Sequence, residues 1–234
     1  MLDLKKNLDI VLDNIEKYAK ESNRKKEDIT LIAVTKTVDI PVIQEAIKYG
    51  ITDVGENKPQ ELVRKYDVIG KKVKWHMIGT LQTNKVKYII DKVDLIHSLD
   101  RISLCEEINK RAKSINKVVD CLVQVNISKE ETKHGIKEEE ALDFIKSVSE
   151  NFSNIRIKGL MTMAPYTQDK EDTRIYFRKL KELSLKISDM KLENMYMDYL
   201  SMGMSNDYTV AIQEGSNMIR LGTVLFGERN YEEV

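Results

Sequence analysis

Leu31-Ile32-Ala33-Val34-Thr35-Lys36 is the stretch that decides the fold of this chain. Its apolar run reads as a buried strand, closed by a lysine whose amine sits where desolvation is strong. On this segment alone, Lys36 reads more readily as a strand cap that keeps its charge in water, and the rest of the chain changes that balance. The flanks give the strand its context. Upstream, Leu4, Leu8, Val11, Leu12, Ile15 and Tyr18 recur at helical spacing. Downstream, Asp39 stands as an N-cap, Pro41 in a first turn and Gly50 as a stop, which predicts a helix between them.

The alternation continues outward. Strands are expected at 30–35, 51–54, 73–78, 93–97, 118–125, 155–160, 195–200 and 218–221. Further helices are expected near 58–68, 84–91, 101–114, 137–150, 169–188 and 206–214. Strands alternating with helices argue for parallel βαβ units. Eight of them predict an α/β fold closed as a single (β/α)8 TIM barrel over 1–234, with an extra N-terminal helix. That helix is either an addition or a permuted partner of the last strand. A doubly wound open sheet is the alternative, but no GxGxxG follows the first strand to support it. No linker rich in Pro, Gly or Ser divides the chain.

Composition narrows the function. Thirty-eight Lys plus Arg balance 38 Asp plus Glu, so no general pull toward nucleic acid or an acidic membrane surface is expected. The two cysteines, Cys105 and Cys121, lie in no CxxC or CxxH pattern, so neither a disulfide framework nor a zinc site is indicated. Met1-Leu2-Asp3-Leu4-Lys5-Lys6 lacks an apolar h-region, and no stretch approaches membrane-spanning length. A cytoplasmic protein is expected.

Active sites of such barrels lie at the C-terminal ends of the strands. Polar groups fall at nearly every one: Lys36, Gly55-Glu56-Asn57, His76, His97-Ser98, Gln124 and Asn126, Thr162, Ser201 to Ser205, and Arg220 with Gly222 and Thr223. A buried lysine loses part of its preference for the ammonium form. That makes Lys36 a Schiff-base candidate, and pyridoxal phosphate (PLP) is the common aldehyde cofactor for one. Barrels often hold phosphate with the loops after strands seven and eight. Ser201, Gly203 and Ser205 in one loop, and Gly222 and Thr223 in the other, have the small side chains and donors this needs. They read equally as turn residues. His76 is expected in the wall of the site and Met202 near the cofactor ring. Trp75 is expected to pack between barrel and helices, and the three histidines show no metal spacing.

With these residues in view, the chain resembles the YggS/PROSC family of PLP-binding proteins, the pyridoxal phosphate homeostasis proteins. The resemblance runs from about residue 30 to residue 229. It is carried by Ala33 to Lys36, Gly55-Glu56-Asn57 with Gln60-Glu61, Trp75 to Lys85, His97 to Arg101, Gln124 to Ser128, Gly159 to Thr162, Leu200 to Ser205, Arg220-Leu221-Gly222 and Phe226-Gly227. It implies a barrel like the alanine racemase N-terminal domain, the PLP-binding fold type III. It implies Lys36 as the Schiff-base lysine and Arg220 facing the pyridine nitrogen. Ser201, Gly222 and Thr223 would hold the phosphate, and Asn57 would lie close to the ring. Thr35, Lys58-Pro59, Thr80 and His134 depart from the family pattern without touching these residues.

Two functions follow from that resemblance. One is a PLP carrier or homeostasis protein, a monomer that buffers the cofactor or passes it to PLP-dependent apoenzymes. The other is a weak amino-acid racemase. Racemisation needs a base on each face of the bound substrate. The opposing tyrosine of the racemases comes from a second domain, for which a chain ending at Val234 has no room. The carrier is therefore the expected function. A bare barrel without cofactor would leave Lys36, Arg220 and both loops unexplained.

Overall fold

The opening helix, α1 (Leu4–Glu21), buries Leu4, Leu8, Val11, Ile15 and Ala19 on one stripe, and Asp3 caps it by accepting from the Lys6 N–H at 3.0 Å. In this computed structural model residues 3–130 and 132–227 are described, so Met1, Leu2 and the last residues of the family resemblance lie outside them. Strand β1 (Thr30–Val34) leads to α2 (Ile40–Lys48), which starts after Asp39 and is followed by Gly50 at φ +101°. Next come β2 (Asp53–Glu56), α3 (Pro59–Ile69), β3 (Lys74–Met77), α4 (Val86–Ile89), β4 (Leu95–Leu99) and α5 (Ile102–Ser114). The second half runs β5 (Val119–Asn126), β6 (Ile136–Lys137), α6 (Ala141–Asn151), β7 (Ile155–Met161), α7 (Arg174–Ser188), β8 (Met195–Ser201), α8 (Tyr208–Gln213), β9 (Met218–Leu221) and α9 (Thr223–Phe226).

The strands pair in parallel in the order β4-β3-β2-β1-β9-β8-β7-β5, and β4 pairs back onto β5 to close the barrel. The two-residue β6 hangs on the end of β5. The expected eight-stranded barrel is therefore the observed one. Its opening helix takes the permuted place. The helix after β9 spans only four residues, and α1 packs on it and on α8. Asn7 Nδ2 donates to the Leu225 carbonyl at 3.1 Å and Asn14 Nδ2 to the Tyr208 hydroxyl at 3.0 Å.

Several boundaries moved. The second and fourth strands begin two residues later than expected. Ile51 and Val93 are buried under the helices before their ladders begin, so apolar pattern marked burial rather than pairing. The short β6 was not anticipated. Lys137 ends it, a 3-10 turn takes Glu138–Glu140, and the regular helix begins only at Ala141.

Inside the barrel, Ile32, Leu95, Leu122, Met161 and Met218 form an apolar plug. Outside it, the helices and outward strand residues form the main core. Trp75 sits in that outer layer as expected, with its indole N–H on the Gly70 carbonyl at 2.8 Å. Among the described residues no helix is long and apolar enough to cross a membrane.

Candidate functional site

Strand alternation sets the site. Ile32 joins the interior plug, Val34 and Lys36 line a cavity at the barrel mouth, and Ala33 and Thr35 face the helices. Lys36 stands two residues beyond β1 and is half-buried rather than enclosed, so the strong desolvation expected of it is not what the fold provides.

The cavity holds ≈ 470 Å³. Asn57, Ile78, Arg220, Gly222 and Thr223 line it with Lys36, as do Met204, Ser205 and Asp207 after β8 and the loop carrying Tyr166. Gly79 makes the Asn57 wall possible. A Cβ there would stand 2.4 Å from the Asn57 carbonyl oxygen and 2.7 Å from its Cα. Gly79→Ala must therefore displace Asn57, at a cost of about 1–3 kcal/mol. Thermal unfolding checks this: each kcal/mol lowers Tm by about 2–4 °C in a chain of this size.

Four sequence-picked residues do not line the cavity. Ser201 is fully buried, and its hydroxyl is taken by Arg220 and His97. Met202 points outward into the main core. Gly203, at φ +96°, lets the loop pass close to α8, where a Cβ would meet that of Ala211 at 2.6 Å. His76 lies deeper in the barrel. The hydroxyl that does reach the cavity after β8 is Ser205, which lies close to the start of α9: its Oγ accepts from the Val224 N–H at 3.4 Å.

Arg220 anchors the floor. Its guanidinium donates to Ser201 Oγ at 2.6 Å and to the Thr162 carbonyl at 2.9 Å. Burial pulls its pKa down to about 10 against the opposing pull of Asp207, so it remains a cation at neutral pH. Behind it a hydrogen-bonded chain descends through the barrel. Ser201 Oγ meets His97 Nδ1 at 3.0 Å, His97 Nε2 meets His76 Nδ1 at 3.0 Å, and His76 Nε2 meets Asp53 Oδ1 at 2.9 Å.

The two ends fix the order of protons. Burial raises the Asp53 carboxyl, but hydrogen bonds from His76 and Thr52 outweigh it and leave the pKa below its usual value. An ionised Asp53 only accepts, so His76 donates to it, His97 donates to His76, and Ser201 donates to His97 while accepting from Arg220. Asp53 was not singled out from sequence, and His97 was noted there only as a polar strand end. Only strand register brings residues 53, 76, 97 and 201 into line.

This chain has a pH signature. Burial above all, with the nearby Arg220 cation, holds the His97 pKa well below its usual value, so His97 is neutral in the fold. The unfolded chain takes up a proton there below about pH 6.5. The unfolded state then binds more protons, so stability falls as pH drops from about 6.5, by up to about 1.4 kcal/mol per pH unit. The Asp53 contribution persists through this range and is lost only at lower pH, as its depressed folded pKa is crossed. Urea unfolding between about pH 7 and 5 reads the slope, and His97→Gln should flatten it.

Among the described residues no three His, Cys, Asp or Glu side chains converge to hold a metal ion. The fold and mouth define a βα barrel with a lysine past its first strand and a buried arginine on its last. Comparison places it more closely. The alanine racemase N-terminal domain family matches residues 7–230. The pyridoxal phosphate homeostasis protein of Aquifex aeolicus is 45% identical over 223 residues, 94% of this chain and 96% of the relative. PipY of Synechococcus elongatus PCC7942, solved with PLP bound, superposes with a TM-score of 0.79 at 28% identity, over 92% of this chain and 100% of PipY. An alanine racemase of Clostridium difficile 630 shares the fold, with a TM-score of 0.75 at 19% identity over 98% of this chain and 58% of the racemase. The chain belongs to the pyridoxal phosphate homeostasis protein family, built on the alanine racemase N-terminal domain.

Proposed function

We propose that this chain binds PLP at the barrel mouth, covalently through Lys36, and serves PLP homeostasis by holding the cofactor and yielding it to PLP-dependent apoenzymes. One observation carries the reading: a primary amine, a buried guanidinium and two hydroxyls, from Lys36, Arg220, Ser205 and Thr223, line a single cavity. Its ≈ 470 Å³ falls in the ordinary range for small-molecule sites, roughly 300–1,000 Å³.

The donor set fits the cofactor. The aldehyde of PLP condenses with a primary amine, forming a C=N bond and releasing one water. Lys36 supplies that amine. Arg220 has used only two of its five N–H donors in the bonds described, on Ser201 and Thr162, and can turn others toward a ring nitrogen. As a cation it disfavours a proton on that nitrogen and so weakens carbanion stabilisation. Gly222 and Thr223 at the start of α9, with Ser205 beside them, are the phosphate-holding group. Ser205 replaces Ser201 in that role.

The racemase reading needs a second base across the cavity from Lys36. Tyr166 lines the cavity but is 83% exposed, so solvent rather than protein surrounds it and nothing holds it opposite Lys36 among the described residues. A monomeric, cytoplasmic protein belongs to the same proposal. Large exposed apolar side chains are spread over several helices, including Ile10, Val68, Tyr88 and Ile102, and Cys105 and Cys121 are free thiols. The test is transfer. PLP-loaded protein mixed with an apo PLP-dependent enzyme is expected to restore that enzyme's activity. Exchange of the amino-acid Cα proton at an ordinary enzymatic kcat, about 1–10³ s⁻¹, would replace this reading with the racemase.

A further inference from the structure

Lys36 is flanked by two residues whose backbone is held from the outer face of the barrel. On one side the Thr35 N–H donates to the Gly55 carbonyl at 3.0 Å, and the Thr35 hydroxyl donates to Glu56 Oε1 at 2.6 Å. The Thr35 carbonyl accepts from Lys65 Nζ at 2.7 Å. On the other side the Thr37 N–H donates to Glu61 Oε2 at 2.9 Å. Lys65 joins the two halves, because its ammonium also meets Glu56 Oε1 at 2.8 Å and Glu61 Oε2 at 3.0 Å. Its three donors are thereby spent on three acceptors. The Lys65 and Glu56 side chains have no solvent exposure, and Glu61 has 17%.

Two features show that stability alone does not account for this arrangement. A buried ion pair is commonly no more stabilising than a packed apolar pair of the same volume. Here one Glu56 oxygen, Oε2, is buried without a hydrogen-bond partner among the described residues, which adds a cost. The second feature is Thr37, a β-branched residue at φ +61°, in the left-handed region. Such strain persists where surrounding contacts over-determine it, and it concentrates at functional positions. What an apolar pair cannot do is grip the carbonyl of Thr35 and the N–H of Thr37 at once. None of Glu56, Glu61 and Lys65 lines the cavity, so their reach into it runs through the backbone of the 35–37 turn.

We propose that Lys65 and Glu61, assembled on Glu56, are positioning residues that fix the 35–37 turn and thereby aim Lys36 into the cavity. This rests on the reading of Lys36 as the lysine that condenses with PLP. Two probes separate the effects. Pyridoxine 5′-phosphate has no aldehyde and reports the cavity alone, while PLP reports the cavity and the amine together.

In Glu61→Ala the Thr37 N–H loses its acceptor while the Glu56–Lys65 pair is kept. In Thr37→Gly the N–H bond to Glu61 is kept and the positive-φ strain is relieved, but the hydroxyl bond that Thr37 makes to the Lys36 carbonyl at 2.6 Å is lost, which loosens the turn from its other side with little net change in Tm. A misplacement of about 1 Å costs on the order of 10²-fold in a reacting pair. Both variants are therefore expected to bind pyridoxine phosphate within about twofold of wild type, yet to form the visible PLP band about tenfold more slowly or less completely. Glu61→Gln, which keeps an oxygen acceptor, should recover most of the loss. Lys65→Met is expected to show the same split where it folds.

Parallel losses in both probes that track Tm would reduce the network to a structural role and overturn the proposal. So would an unchanged PLP reaction in Glu61→Ala and Thr37→Gly. Absence of the band in wild type would instead remove the Lys36 reading itself, and the proposal with it.

Discussion

Lys36→Ala is expected to abolish the visible absorbance that PLP develops on this protein, while the variant keeps its fold. Lys36 is half-buried at the cavity wall, and its amine makes no hydrogen bond or ion pair among the described residues, so its truncation should leave the barrel intact. The covalent bond is a different matter, because in the proposed reading the amine is the nucleophile that condenses with the aldehyde. Residual binding would rest on Arg220 and the loops proposed to hold the phosphate. A retained affinity about 100-fold weaker corresponds to ~2.7 kcal/mol. Equilibrium dialysis with PLP, read beside the thermal melt, separates lost chemistry from lost structure. A variant that keeps the band would move the amine to another residue.

Arg220→Met should act on both stability and binding. Removing the guanidinium leaves the Ser201 hydroxyl oxygen and the Thr162 carbonyl without their donor inside the barrel. Each orphaned buried acceptor costs about 1–3 kcal/mol. Asp207 also loses the positive charge that offsets the rise burial imposes on its carboxyl. A fall in Tm on the order of 10 °C follows from the two acceptors together. Loss of the charge-assisted hydrogen bond proposed between Arg220 and the ligand should weaken PLP binding by a further 10- to 100-fold or so. Arg220→Lys should recover only part of this, because an ammonium lacks the planar fork that reaches Ser201 and Thr162 together. Differential scanning calorimetry and PLP titration check the two effects. An unchanged melt in Arg220→Met would contradict the anchoring role.

The barrel was legible because largely apolar stretches such as 31–34 and 218–221, punctuated by Pro41, Gly50 and similar residues, report strands and helices locally. That Lys36, Asn57, Arg220, Gly222 and Thr223 meet at one cavity was legible because strand ends in such a barrel converge. How far along the barrel axis a residue sits was not legible. Ser201 and Ser205 both read as small polar residues after the seventh barrel strand, yet one is sealed under Arg220 and the other faces the cavity. Parity turned Met202 to the core and Ser201 inward, and periodicity cannot say where the interior plug ends and the cavity begins.

The charged residues hid for another reason. Glu56 read as a polar strand end, and nothing distinguished Lys65 within the helix expected near 58–68. They are buried because β2 and α3 bring opposite charges together beneath Thr35. The Asp53–His76–His97 chain depends on the registers of β2 with β3 and β3 with β4, which no local pattern carries.

The central claim is tested most directly by treating the PLP-loaded protein with borohydride, digesting it and mapping the modified peptide. Reduction makes the C=N bond permanent and marks the lysine that formed it. The account predicts one phosphopyridoxyl group, on the peptide containing Lys36. A label on another lysine, or none on a protein that retains PLP, would contradict it.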